Sequence, residues 1–381
     1  MQFLVQVIFL TIIILNASPV CATEEKLDSL ALASKLMKSS EYDKATEALK
    51  QVDDKQKKGE AAKFYTVSGL IKLYQKKFEL AERAFITAQK SNPSDRYIYI
   101  YLAQAYFGQE KYQETIDTLA KVNELASGIT SMHIIKANAL WNLKKYEKAW
   151  KQADAGLLRF PDEFRLHRLK INWLAEKQLF SQIHAYASTL IENKNIQITD
   201  LISIAGLLRS HNQIDLAISY LELLRLVNSS DEVTTQLALS YAKKGDFTNA
   251  AILFEQNAAL NPEYYYEAAE LYARAGNHQY ALSLNGKVID QKKKFKQRLT
   301  ILLSQGDFES AVSSEDDMIR LGLLDQEEIS YALAYAFYRI RDFEKAEYYL
   351  IPIKSNELFQ KAIALRKEIL SCKSIDGSCS A

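Results

Sequence analysis

The sequence predicts an all-α protein, a solenoid of about ten helix-turn-helix repeats, from its composition and from a repeated pattern. Its 381 residues are 48% apolar but include only 12 Gly and 5 Pro, which gives a large core and few of the turn formers that an all-β protein needs. Ten anchor residues, most of them aromatic, each precede an amphipathic helical segment and recur 30 to 36 residues apart. A period near 34 residues is typical of a helical repeat array. The anchors are Tyr42, Phe78, Tyr112, Tyr146, Phe180, Ile214, Phe247, His278, Phe308 and Phe343.

The N-terminal segment has the features of an export signal. An apolar stretch of 13 residues, Phe3 to Leu15, is followed by Val20, Cys21 and Ala22, in which small residues suit signal peptidase. We therefore expect residues 1–22 to be cut off after Ala22 and the protein to be periplasmic or secreted. An uncleaved anchor and a lipidated Cys21 are the alternatives. The stretch would rise only about 20 Å as a helix against a hydrocarbon core of about 30 Å, and Val20 is large for a lipidation site.

Two positions of each repeat favour small side chains. Three residues after the anchor, eight of ten residues are Ala, and nine residues before it, eight of ten are Ala or Gly. Small residues let two helices pack closely, and a larger side chain costs about 1 to 3 kcal/mol. The exceptions Ile171, Ile183 and Leu299 predict altered packing in two repeats. The segment YIYIYL at 97–102 alternates like a strand, but its place in the repeat predicts a helix.

Each repeat resembles the tetratricopeptide repeat, two antiparallel helices with W-x₂-L-G-x₂-Y in the first and A-x₃-F and a later Pro in the second. The resemblance covers nearly all of residues 23–371 and implies a right-handed superhelix. The best-matching repeat has Leu237, Ala238, Tyr241, Gly245, Phe247, Ala250, Phe254 and Pro262 at these places.

The resemblance also implies where a partner would bind. In tetratricopeptide proteins the first helix of each repeat lines a groove, with contacts at its second, fifth, ninth and twelfth positions. Tyr and Arg at such positions suit a peptide or an unfolded segment, although packing between helices is an equal alternative for many of the Tyr. The candidates are Tyr97, Ile100, Gln104, Phe107, Ile134, Asn138, Trp141, Arg165, Arg168, Asn172, Glu328, Tyr331, Tyr335 and Tyr338.

The segment QKKKFKQR at 291–298 is a local basic patch in a chain whose formal net charge is only +1. The overall balance argues against a protein organised around nucleic acid or anionic lipid, so any charge-driven site must be local. The patch is either a docking site for an anionic partner or a solvated helix start. Its basic residues are Lys292, Lys293, Lys294, Lys296 and Arg298.

The C-terminal tail, residues 372–381, carries two cysteines six residues apart on either side of Gly377. In an oxidising compartment the first interpretation is a disulfide between Cys372 and Cys379, because the Gly lets the short loop fold back and no third ligand stands nearby for a metal. The alternative is two unpaired thiols.

Catalysis has little support in the sequence. There is no GxSxG, HExxH, P-loop or GxGxxG motif, and no separate domain stands outside the repeats. The histidines are scattered through the repeats, at His133, His167, His184, His211 and His278. We expect no enzyme activity, no cofactor and no metal.

A closer resemblance is to the periplasmic tetratricopeptide component that accompanies TonB, ExbB and ExbD energy-transduction systems of Gram-negative bacteria. It rests on the signal segment, the number of degenerate repeats, the last repeat YALAYAFYRIRDFEKAEYYL and the two-Cys tail. It implies an accessory scaffold for uptake of iron carriers, with envelope proteins as partners. A scaffold for envelope assembly or polysaccharide export is one alternative, and a regulatory holder of an envelope enzyme is another.

Overall fold

The structure is a computed structural model that describes residues 28–374. All of its regular elements are helices, so the all-α prediction is confirmed. The chain divides into two compact units, with the boundary between Leu166 and His167. The predicted signal segment, residues 1–22, lies outside the described residues.

In its described part, residues 28–166, the first unit contains ten complete helices. They are α1 (Ser29–Lys38), α2 (Tyr42–Lys50), α3 (Asp54–Gly59), α4 (Ala61–Tyr74), α5 (Phe78–Ser91), α6 (Arg96–Gly108), α7 (Tyr112–Ala120), α8 (Asn123–Ser127), α9 (Thr130–Asn142) and α10 (Tyr146–Arg159).

The second unit continues the same alternation of helices, starting with a helix that begins just before the boundary. Its helices are α11 (Phe164–Glu176), α12 (Phe180–Ser188), α13 (Ile198–Ser210), α14 (Ile214–Val227), α15 (Asp231–Lys244), α16 (Phe247–Ala258), α17 (Tyr264–Arg274), α18 (His278–Asn285), α19 (Gln291–Gln305), α20 (Phe308–Val312), α21 (Glu315–Arg320), α22 (Glu327–Arg339), α23 (Phe343–Leu350) and α24 (Asn356–Ser374).

The predicted repeat register is confirmed, because each of the ten anchors is the first residue of a second helix. The small-residue positions are confirmed as well. Every residue three positions after an anchor is fully buried, from Ala45 to Ala346, and those nine positions before an anchor are buried too. The larger Ile183 and Leu299 are also buried. In the repeat of Leu299 the second helix is broken into α20 and α21.

The turn between the two helices has the same backbone conformation in all ten repeats. The residue two positions before each anchor has a positive φ between 57° and 88°. The next residue donates its N–H to a carbonyl five residues back, as Lys145 does to Leu140 at 2.9 Å, which is the Schellman motif. Gly fills the positive-φ position only at Gly245, Gly276 and Gly306, so seven repeats place a side chain in a conformation that L-residues disfavour.

Helix α6 explains the strand-like alternation in the sequence. Ile98 and Leu102 belong to the apolar cluster formed with α4 and α5, whereas Ile100 and Ala103 belong to the cluster formed with α7 and α9. Helix α6 is therefore buried on two sides, by the preceding repeat on one side and by its own second helix and the next repeat on the other. Two apolar faces on one helix bring apolar residues two positions apart, which a half-buried strand would also show.

Helix α24 covers the last helix pair. Its Ala362, Leu365 and Ile369 are buried in the same apolar cluster as α22 and α23, and Cys372 packs against that cluster from near the end of α24. Cys379 lies outside the described residues, so the Cys372–Cys379 disulfide stays a prediction.

Candidate binding groove

In the first unit, helices α6 and α9 carry several of the predicted contacts. Tyr97 is 54% exposed at the start of α6, where its N–H donates to the capping carboxylate of Asp95 at 2.9 Å. Gln104, further along the helix, is half-buried. Ile100, by contrast, is 3% exposed in the core, so its predicted contact role is corrected to packing. Helix α6 therefore offers its tyrosine and its amide to a partner.

Helix α9 contributes Asn138 and Trp141, both half-buried. The Trp141 ring lies edge-on to Tyr146, the anchor of the same repeat, with 4.6 Å between ring centroids. The indole thus helps to join the two helices of its repeat, as the packing interpretation expects, and leaves only part of its surface for a partner.

Helix α11 carries Arg165, Arg168 and Asn172, and all three are exposed. The guanidinium of Arg165 donates to the carboxylate of Glu163 at 2.8 Å, and this bond lowers the pKa of Glu163. Arg168 lies 3.6 Å from a carboxylate oxygen of Asp200. The positive charge predicted for this helix is therefore largely offset by carboxylates, and what it offers to a partner is mainly hydrogen-bonding groups.

The three tyrosines predicted as contacts on α22 differ in their exposure. Tyr331 and Tyr335 are half-buried, and burial raises the pKa of Tyr331. The hydroxyl of Tyr335 accepts a hydrogen bond from Arg339 at 3.0 Å. Tyr338 is only 7% exposed and packs near Phe343, 6.2 Å between centroids. The structure thus assigns Tyr338 to the core and leaves the other two rings partly accessible.

The basic patch also divides, because its residues fall on different sides of α19. Lys292 and Lys293 are exposed, and the Lys293 ammonium lies 5.9 Å from the centroid of the Tyr266 ring on α17. Lys294 instead donates to the carbonyl of Gly286 at 2.6 Å. Lys296 and Arg298 are half-buried.

The repeat register joins the lysines of α19 to the tyrosines of α17 and α22. Lys296 stands twelve residues before its anchor, the same offset as Tyr331 in the last repeat and Tyr266 in the eighth. All three are half-buried on successive first helices of the second unit. Sequence reasoning missed Tyr266, although this offset was the signal that could have found it. We call Tyr266, Lys296 and Tyr331 the Tyr-Lys-Tyr row.

The buried histidines have structural partners. His133 has Nε2 3.0 Å from the carbonyl of Ser127 and Nδ1 2.9 Å from the amide nitrogen of Gln152. The Gln152 amide donates to Nδ1 in this arrangement, and Nε2 donates to the carbonyl. His167 is buried, with Nδ1 2.7 Å from the Tyr186 hydroxyl. Both rings serve the packing of their helices.

Two features are absent from residues 28–374. In this part of the chain, His, Cys, Asp and Glu form no group of three or more that could hold a metal ion. The same residues include no helix that combines the length and the apolar character needed to cross a bilayer.

Two family models match parts of the chain. A model described as tetratricopeptide repeat matches residues 235–290, and one described as anaphase-promoting complex, cyclosome, subunit 3 matches residues 71–154. The ten helix pairs and the match over residues 235–290 support an α-solenoid whose repeats are similar to the tetratricopeptide repeat. Repeat solenoids form extended concave surfaces that can bind other proteins. A search of curated protein sequences finds no significant match.

Solved structures with helical repeats are similar to the chain only at low identity. YrrB, described as a TPR protein with an unusual peptide-binding site, is 19% identical over 49% of this chain and 96% of its own, with a TM-score of 0.35. A tetratricopeptide repeat protein from Parabacteroides merdae is 15% identical over 72% and 98%, with a TM-score of 0.29. The TPR domain of P58(IPK) is 14% identical over 83% and 100%, also at 0.29.

Proposed function

We propose that the chain is a non-catalytic scaffold that binds an extended segment of another protein along the first helices of its repeats. The observation that carries the proposal is the Tyr-Lys-Tyr row, in which three successive first helices present an aromatic, a cationic and an aromatic side chain at one register. Partly exposed aromatic rings can accept apolar side chains of a peptide, and aromatic residues carry much of the free energy of protein interfaces. The lysine between them favours a segment with an acidic residue.

We further propose that the scaffold is exported to the periplasm and that its partner belongs to a TonB, ExbB and ExbD system. This assignment is supported by the resemblance of the sequence to the periplasmic component of such systems. The features that support it are the signal-like N-terminus, the number of repeats and the tail with Cys372 and Cys379. The protein would then hold envelope proteins together while the inner-membrane motor energises uptake of iron carriers.

The test is a pair of tyrosine variants compared for stability and for partner recovery. Tyr331→Ala removes a ring from the Tyr-Lys-Tyr row, and we expect at least about 30-fold weaker binding, the effect of losing an interface hot spot of about 2 kcal/mol. Tyr348→Ala is the matched control, because Tyr348 is 66% exposed on the second helix α23. Thermal melting of both variants should stay close to that of the unmodified protein.

Recovery from envelope extract separates the two levels of the proposal. If Tyr331→Ala recovers the same partners in the same amounts as Tyr348→Ala, the row is not the binding site. If partners are recovered but none is TonB, ExbB or ExbD, the scaffold remains and the energy-transduction assignment fails. The absence of neighbouring genes for these three proteins would also contradict that assignment.

A further inference from the structure

Large aliphatic side chains are exposed to solvent at one edge of the second unit. Leu260 follows α16 and is 84% exposed, Ile289 follows α18 and is 69% exposed, and Ile319 near the end of α21 is 53% exposed. These are the ends of the second helices of three consecutive repeats, so the three side chains lie along the same edge of the stacked helices. The row continues with Leu226 in the preceding repeat and Ile351 in the following one, at 84% and 69%.

Hydrogen bonds at both ends of its loop keep the Ile289 side chain exposed to solvent. The carbonyl of Gly286, at the start of the loop, accepts a hydrogen bond from the Lys294 ammonium at 2.6 Å. At the other end, the carboxylate of Asp290 accepts the N–H of Lys293 at 3.0 Å and caps α19. A loop fixed at both ends cannot easily turn its side chain inward, so the Ile is held in contact with solvent.

Lysines lie around the same loop, near the N-terminus of α19, where the helix dipole disfavours positive charge. Lys292 and Lys293 occupy the first turn of α19, which contains no acidic residue, and cations at a helix N-terminus oppose the helix dipole. Lys287 is exposed in the loop, with its ammonium 4.8 Å from the centroid of the Tyr265 ring. For Lys293 the contact with the Tyr266 ring offsets this cost, so Lys292 is the residue whose unfavourable position points to a function.

We propose that this edge docks the protein on an anionic lipid bilayer, with the aliphatic side chains between headgroups and the lysines on the lipid phosphates. The surface, named here the aliphatic-lysine edge, consists of Leu260, Lys287, Ile289 and Lys292. Ile319 is left out because the first turn of its helix α21 is acidic. A protein interface has a contiguous apolar core, whereas Leu260 and Ile289 are single exposed side chains on two separate loops. A bilayer interface accepts single apolar side chains and attracts nearby lysines. The aliphatic-lysine edge shares no residue with the Tyr-Lys-Tyr row, so the inference does not depend on the proposed function.

The experiment is sedimentation of the mature protein with vesicles of phosphatidylglycerol mixed with phosphatidylcholine, compared with vesicles of phosphatidylcholine alone. We expect binding to the anionic vesicles only, weakened by salt because screening shortens the reach of the lysines. Replacing Lys287 and Lys292 together by Gln should lower the partition coefficient about 30-fold, since each lysine near an anionic surface contributes about 1 kcal/mol. Ile289→Gln should lower it about ten-fold through lost apolar burial.

Leu158→Gln is the matched control, because Leu158 ends the second helix α10 of the first unit and is 89% exposed. It should leave vesicle binding unchanged, and so should Tyr331→Ala, which separates this inference from the groove. Equal binding to both kinds of vesicle, no binding to either, or equal loss in the Leu158 and Ile289 variants would overturn the proposal. Self-association without vesicles that disappears in the Ile289 variant would instead identify the edge as a contact between copies.

Discussion

Replacing Gly69 by Ala tests whether close packing between helices decides the small positions of the repeat. A Cβ added at Gly69 would lie 2.5, 2.7 and 2.9 Å from three ring carbons of Phe85. Carbon atoms pack best at about 3.5 to 4.0 Å, so the new methyl group overlaps the ring by about 1 Å. Phe85 is fully buried and stacks on Tyr101 at 5.7 Å between centroids, which leaves its ring little room to move.

Two effects of opposite sign set the magnitude. Overpacking at Gly69 should destabilise the protein by about 1 to 3 kcal/mol, and the better helix propensity of Ala should return about 0.5 to 1 kcal/mol. We expect a net loss of about 1 to 2 kcal/mol in the free energy of unfolding. Gly206→Ala is the matched control, because Gly206 lies inside α13 and its added Cβ would have no neighbour within 4 Å. That variant should gain about 0.5 to 1 kcal/mol.

Urea denaturation followed by circular dichroism would measure both variants, with the slope checked for changes in cooperativity, since repeat proteins can unfold in parts. Stabilisation of similar size in both variants would refute the overpacking at Gly69, because it would mean that the Phe85 ring moves away from the new methyl group without cost. A second check is Phe85→Leu. Combined with Gly69→Ala, it should cost less than the sum of the two single changes, because the smaller side chain makes room for the methyl group.

Three further predictions concern the turn, the pH dependence and the tail. Lys144→Gly should raise the free energy of unfolding by about 1 kcal/mol, because Lys144 has a φ of 59° that only Gly adopts without strain; a destabilised variant would contradict the turn geometry. The hydrogen bond to Glu222 raises the pKa of Tyr241 to about 12 from its ordinary 10.0, so its stabilising effect is complete below pH 10 and is lost as the pH rises through about 12. Tyr241→Phe should flatten the loss of stability over that range, and an unchanged curve would exclude this bond as its cause. Finally, thiol labelling of the exported protein should find Cys372 and Cys379 unreactive, with about 2 kcal/mol or less of stabilisation from the bridge, and two reactive thiols would disprove it.

The groove is where sequence and structure differ most. The family register placed Tyr97 and Tyr331 correctly on partly accessible surfaces, but it also selected Ile100 and Tyr338, which the structure buries. A helix position specifies a direction from the helix axis, whereas burial depends on which neighbouring helix lies in that direction. The extra cover comes from the second helix of the repeat, as Phe343 shows beside Tyr338.

The basic patch gives a second example. In the sequence its five cations form one run, and only the helix separates Lys294, tied to Gly286, from Lys293, which lies over the ring of Tyr266. The lysine and the tyrosine are 27 residues apart in the chain, so no local pattern could pair them. The repeat offset could have done so, because equal offsets from the anchors place residues side by side on stacked helices.

The sequence by itself determined the repeat architecture: the ten anchors, the start of each second helix and the two small positions. It could do so because these features recur at a fixed period, and each follows from local helix geometry or from a contact inside one repeat. Only the tertiary structure decided which first-helix side chains remain accessible, how the turn is built in the seven repeats without Gly, and that Ile289 is held in solvent. These depend on contacts between repeats and on fixed loops, where a side chain's surroundings come from residues that are distant in the chain.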